Sequence, residues 1–192
     1  MAGCSNSLTT LAPSCAALKK KGGFDKRIWV GNIADLDSVT YGTDQEITAF
    51  TFSGTTGFKT VTGKRLKNGA ETTLEAGENV NMRTQNYNAV LYAQSAAERA
   101  AVEALWDADD IFVVAESNAG TIEVYGINKG ANSQFDNYGL KASSGTWNEG
   151  VALNDDTGIP TSFSGDFDNG PLIYNEAVAL ATNIAALDAQ VV

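Results

Sequence analysis

Hydrophobic positions in this chain come mostly as short runs broken by Gly, Asn, Ser and Thr, and most runs alternate at the strand period. One stretch, residues 86–130, carries the clearest pattern. Asn86-Tyr87-Asn88-Ala89-Val90-Leu91-Tyr92 predicts a strand, and Ser95 opens a helix over about 95–107. Ser95 and Glu98 have the spacing of a capping box, which supplies acceptors for free amides at a helix start. Ala101, Val102, Leu105 and Trp106 fall on one helical face, while Glu98, Arg99 and Glu103 lie off it. Ile111-Phe112-Val113-Val114-Ala115 is a continuous run of β-formers and predicts a buried strand. Asn118 and Gly120 mark a turn, and Thr121-Ile122-Glu123-Val124-Tyr125 begins the return strand of a hairpin. The pattern is that of one amphipathic helix lying against an antiparallel sheet.

Elsewhere the signals are weaker. Residues 1–24 read as an extended N-terminal arm, because polar residues, Pro13 and a lysine triplet interrupt Leu8, Leu11 and Leu18. Residues 25–192 read as a single β-rich domain. Strands are expected at 27–33, at 46–52 and, less strongly, at 58–63, with a turn region at 35–42. In the second of these, Ile47, Ala49 and Thr51 are expected on one face and Phe50 and Phe52 on the other. Residues 64–79 are polar, with Glu71, Glu75 and Glu78 among small residues, and predict a long hairpin that projects or pairs with a neighbour. A loop follows at 131–138, a turn at 155–158 and an alternating strand at 159–167. In the tail, 175–192, Val178, Leu180, Ile184 and Leu187 could stripe a short helix, and an extended tail is equally compatible.

The 192 residues, 43% of them hydrophobic, suffice for one domain with a real core. Nineteen glycines alongside many Thr, Ser and Asn residues point to numerous turns and short strands rather than to a bundle. A net charge of −10 argues against gripping nucleic acid, which needs clustered Lys and Arg. The two basic clusters, Lys19-Lys20-Lys21 and Lys64-Arg65-Leu66-Lys67, read as solvated loop charges. No run approaches a membrane span, and Ser, Thr and Asn break up any signal-like region at the N-terminus. The expectation is a soluble protein made and assembled in the cytoplasm. Cys4 and Cys15 cannot complete a tetrahedral zinc site without histidine. A bridge between them would close a short loop, whereas a reducing cytoplasm leaves thiols free.

Candidate chemistry is sparse. Histidine is absent, which removes the commonest general base and metal ligand together. Neither a nucleophile elbow nor a phosphate-binding glycine loop is present. Asp107, Asp109 and Asp110 could hold a cation or act as a glycosidase-like pair, but such clusters are usually solvated loops. Asp166-Phe167-Asp168-Asn169-Gly170 hints at a calcium loop, with its glycine one position early. No catalytic, cofactor or metal site is expected.

Three features together resemble the tail tube (major tail) proteins of phages of the Bacteroidota type. The first is the arm with Cys4, Cys15 and Gly22-Gly23 leading to Arg27-Ile28-Trp29-Val30. The second is the block of capped helix, apolar strand 111–115 and Tyr125-Gly126-Ile127-Asn128-Lys129-Gly130. The third is Gly139-Leu140, then Ser143-Ser144-Gly145-Thr146 and the strand with Phe163-Ser164-Gly165. The resemblance implies a mainly β, α+β fold: an antiparallel β-sandwich or small barrel flanked by one α-helix. It implies hexameric rings that stack into a tube, in the tail of the virion. Partners would be further copies of the chain and other phage tail proteins, with DNA only as non-specific cargo and no cofactor or membrane. The arm and the 64–79 segment would then reach neighbouring subunits, which makes Cys4, Leu8, Leu11, Cys15, Lys64, Lys67, Glu71 and Glu75 candidate interface residues. A head decoration or head–tail connector protein shares this profile. A carbohydrate-binding module using Trp29, Trp106 and Trp147 is a further alternative.

Overall fold

The apolar run anticipated at 111–115 lies near the middle of the protein's larger sheet, and the rest of the fold is laid around it. The computed structural model describes residues 23–64, 67–76, 81–93, 95–129, 135–147, 158–176 and 179–192. Among these, Phe24–Asn32 forms β1, Leu36–Tyr41 β2, Glu46–Phe52 β3 and Lys59–Thr62 β4. Gly69–Ala76 forms β5, Asn81–Leu91 β6, Ile111–Ser117 β7 and Ile122–Tyr125 β8. Lys141–Gly145 forms β9, Ile159–Phe167 β10 and Leu172–Tyr174 β11. The helices are Ala96–Asp107 (α1) and Leu180–Asp188 (α2), with a single 3-10 turn at Ile33–Asp35.

Seven strands form one sheet in the order β2-β3-β11-β8-β7-β1-β4, and four form the other in the order β5-β6-β10-β9. Among the described strand pairs only β11 with β3 is parallel. The middle of the larger sheet, at β7 and the adjoining part of β1, is covered on both faces. On one, Ile28, Val30, Val113 and Ala115 pack against Tyr87, Leu91, Phe163 and Phe167 of the smaller sheet. On the other, Trp29, Phe112 and Val114 pack against Phe50, Phe58 and Leu187, the last from α2. Ile111 to Ala115 are all buried, so this strand has no polar face to alternate with. Gly31 belongs to the same packing, because a Cβ there would lie 2.3 Å from the Phe112 ring. The architecture is an antiparallel β-sandwich with helices, mainly β as the resemblance implies.

Two strand ends join the sheets. Past Thr62 the chain bridges Gly63 to Leu91, the Lys64 amide donates to Val90 O at 2.7 Å, and β5 then pairs with β6 from Gly69 opposite Asn88. The chain thus leaves the larger sheet at the end of β4 and enters the smaller one at β5. Asn68 fills the bend: it is 2% exposed, and its Oδ1 accepts from the Val90 amide at 3.2 Å. The hairpin expected at 64–79 is therefore displaced. Its outgoing arm is β5 and its return arm is β6, while 77–80 lie outside the described residues.

Where a turn region was expected at 35–42 the structure has β2. Thr40 pairs with Ala49 but Tyr41 pairs with Ile47, so Thr48 is an extra residue, a β-bulge in β3. The bulge reverses the alternation, which places Ile47 and Phe50 in one core cluster rather than on opposite faces. A second bulge near Asp37 leaves Leu36 and Val39 buried three positions apart, a spacing that does not look like a strand.

The capping box of α1 is present, with Ser95 Oγ accepting from the Glu98 amide at 3.2 Å and Glu98 Oε2 from the Ser95 amide at 2.8 Å. Val102 is buried and Leu105 and Trp106 are half-buried, but Ala101 is exposed. α1 therefore covers less than its apolar stripe suggests. Of the two forms left open for the tail, residues 180–188 take the helical one. Asp188 anchors it, accepting from Arg27 Nη1 at 2.7 Å and from Trp29 Nε1 at 3.1 Å.

Candidate functional surface

Because its inner face forms core, the smaller sheet has one face left for other work. Tyr87, Ala89 and Leu91 point inward on β6, so Thr84, Asn86 and Asn88 point outward. Residues directly opposite in a ladder share a face. The register therefore adds Ser162, Ser164 and Asp166 of β10 opposite Asn88, Asn86 and Thr84. On the flanks it adds Glu71 and Thr73 of β5, and Ser144 and Lys141 of β9. The side chains bond across the strands: Ser162 Oγ donates to Asn88 Oδ1 at 2.6 Å, and Thr84 Oγ1 donates to Asp166 Oδ1 at 2.7 Å.

The result is a face of hydroxyls and amides with carboxylates at Glu71, Glu75 and Asp166. Its cation, Lys141, is ion-paired to Asp109 at 3.1 Å, which raises the lysine's pKa through that hydrogen bond and the nearby negative charge. What such a face can do is stay wet, offer short and dispersed hydrogen bonds, and repel phosphate.

A buried polar girdle holds one end of the sheet. Gln85, fully buried, donates to Asn169 O at 2.9 Å and accepts from the Gly126 amide at 3.1 Å. Asn169 Oδ1 accepts from the Lys129 amide at 2.7 Å, and Asn128 Oδ1 from the Asp168 amide at 3.0 Å. The stretch that hinted at a calcium loop is thus a turn stitched to the 126–129 turn. Nearby, Tyr125 donates to Glu123 at 2.5 Å, and burial followed by that bond raises its pKa far above the ordinary phenol value. Asp110 Oδ1 accepts from the Gly139 amide at 3.0 Å, so this aspartate also has a structural task. Among the described residues no three of His, Cys, Asp and Glu converge as a metal site.

The candidate interface residues are only partly brought together. Cys4, Leu8, Leu11 and Cys15 lie outside the described residues. Lys64 sits half-buried at the sheet-to-sheet bend and Lys67 is exposed just beyond it, with its amide donating to Lys64 O at 3.1 Å. Glu71 and Glu75 are exposed along β5. The tryptophans offer no open platform. Trp29 is fully buried, Trp106 donates to Thr161 Oγ1 at 3.0 Å, and Trp147 packs edge-on against Trp106 at 5.5 Å. Asn88, Ser162 and Ser164 were not among the candidates. Their signal lies in the polar half of the alternation at 86–91 and 159–167. No family model matches this chain, and no curated protein and no solved structure matches it significantly.

Proposed function

We propose that the protein is a structural subunit of a phage tail, assembling into stacked rings that form the tube through which DNA passes. The observation that carries this reading is the outer face of the four-stranded sheet. A channel for DNA must be wet and must not grip phosphate, and hydroxyls, amides and carboxylates meet both needs.

Edge geometry supports the same reading. β5 and β9 are the two edges of this sheet, and among the described residues no strand pairs beyond either. All neighbours within it are antiparallel, so β5 of one copy laid beside β9 of the next continues the alternation without a break. Glu71 and Glu75 on one edge would then approach Lys141 on the other. Pairing the edges in a closed ring also removes the liability of open strands. Six copies of a four-stranded sheet would give 24 strands. At about 4.8 Å spacing and a tilt of about 40° they enclose a backbone diameter of roughly 45–50 Å, enough for a duplex once side chains are subtracted.

Negative-stain electron microscopy across a concentration series tests the proposal. Rings or hollow tubes of uniform width are expected. Single small particles at every concentration would overturn it.

A further inference from the structure

An apolar groove runs between α1 and the β1–β4 edge of the larger sheet. It encloses ≈ 640 Å³, with Ala101 and Leu105 on the helix side and Val61, Tyr92 and Val192 opposite. Tyr92 and Val192 are 40% and 58% exposed, so apolar surface is left uncovered among the described residues. Its charged rim is Asp35 and Glu98 against Lys59, whose Nζ donates to Val192 O at 2.9 Å. Such a rim favours an occupant that is both apolar and cationic.

We infer that this groove receives the chain's own N-terminal arm, with Leu18 seated against its apolar walls and Lys19, Lys20 and Lys21 at its Glu98 end. The arm has the matching chemistry. Residues 1–22 hold Leu8, Leu11 and Leu18, three lysines and no carboxylate, in a chain whose net charge is −10. The path to the groove is short. A Cβ on Gly23 would lie 3.4 Å from Asn68 O, and a Cβ on Gly63 would lie 2.6 Å from Asn68 Nδ2. Gly63 follows Thr62 and bridges to Leu91, the residue before Tyr92, and both Thr62 and Tyr92 line the groove. The arm therefore leaves the body beside the Thr62–Tyr92 end.

Charge and length agree along that path. Glu98 stands in the first turn of α1, six residues past Tyr92, and so borders the same end. Its carboxylate accepts from the Ser95 amide and has acceptor sites beyond that bond. The lysines, two to four residues from Gly23, arrive there first. Leu18, five residues from Gly23, reaches about 16 Å, past the roughly 13 Å that β4 spans. So short a tether holds the arm at a local concentration on the order of millimolar, so each copy fills its own groove ahead of a neighbour's. The contact is independent of the ring reading, because it lies on the larger sheet and leaves β5 and β9 to pair between copies.

Disulfide trapping in the full chain tests it, with Cys4→Ser and Cys15→Ser clearing the native thiols and Leu18→Cys and Ala101→Cys placing two new ones. Mild oxidation at high dilution should join these two within one chain, read as a faster band on a non-reducing gel and as one linked peptide pair by mass spectrometry. Leu18→Cys combined instead with Ser164→Cys, on the outer face of the smaller sheet, should give no link. Trypsin reads the same contact without oxidation. Cleavage after Lys19, Lys20 and Lys21 should quicken roughly 10-fold in Leu18→Asp, the equivalent of one buried leucine. A link between two chains would overturn the inference and give the groove to a neighbour's arm. No link at Ala101 in the folded protein would overturn it too, as would cleavage equally fast with and without Leu18→Asp.

Discussion

The two sheets of this protein are built from similar strands and are put to different use. The larger one is buried on both faces at β7 and the adjoining part of β1, with Trp29, Phe112, Val113 and Val114 fully inaccessible to water. The smaller one buries only Tyr87, Ala89, Leu91, Phe163 and their neighbours, and turns Asn86, Asn88, Ser162 and Ser164 outward. Burial on two faces makes a strand all apolar, and burial on one makes it alternate. The alternating sheet has surface to spare, and the covered middle of the larger sheet holds it in place. Stability should therefore be concentrated in one sheet and surface function in the other.

Breaking that division should cost most at the larger sheet. Phe112→Ala opens a void among Phe50, Phe52 and Phe58, whose rings lie 5.4, 6.3 and 5.5 Å away, and should cost about 3–5 kcal/mol in chemical denaturation. The girdle comes next. Gln85→Leu orphans the Gly126 amide and Asn169 O, for a loss of about 3 kcal/mol. Amide exchange at Gly126 should quicken first.

Alkali should sharpen the contrast, because the raised tyrosines cluster in and around the two cores. Tyr41 is pushed up to about 12 by burial and then by Asp136, and Tyr87, Tyr125 and Tyr174 are raised further, first by burial. Unfolded tyrosines release their protons near pH 10 while the folded ones hold theirs. Stability is then full below about pH 10 and falls as pH rises toward the folded values. Denaturation midpoints measured from pH 8 to 11 should decline only at the upper end. The smallest effect belongs to the outer face. The double change Asn88→Val with Ser162→Val removes both partners of one exposed bond and should leave stability within about 0.5 kcal/mol. A loss as large as that of Phe112→Ala would erase the distinction between the sheets.

Much of this division could be seen in the residues, and what could not has local causes. β7, β10 and the capped start of α1 were legible because their patterns depend on neighbours in sequence. β2 was not, since a bulge spaces Leu36 and Val39 three apart. β9, Lys-Ala-Ser-Ser-Gly, has no apolar residue larger than alanine, and β11 has only three residues. The polar half of β10 was readable as alternation. That Ser162 and Ser164 line up with Asn88 and Asn86 is a matter of long-range register, which no local pattern contains. The bend from β4 into β5 was hidden for the same reason, because Gly63 and Asn68 meet Leu91 and Val90 only in the folded chain.

A three-dimensional electron microscopy reconstruction of the assembled protein, fine enough to place strands, tests the central claim most directly. The account predicts β5 of each copy beside β9 of the next, with Asn88, Ser162 and Ser164 facing a central channel. An assembly that turns this face outward, or buries it between copies, would contradict it.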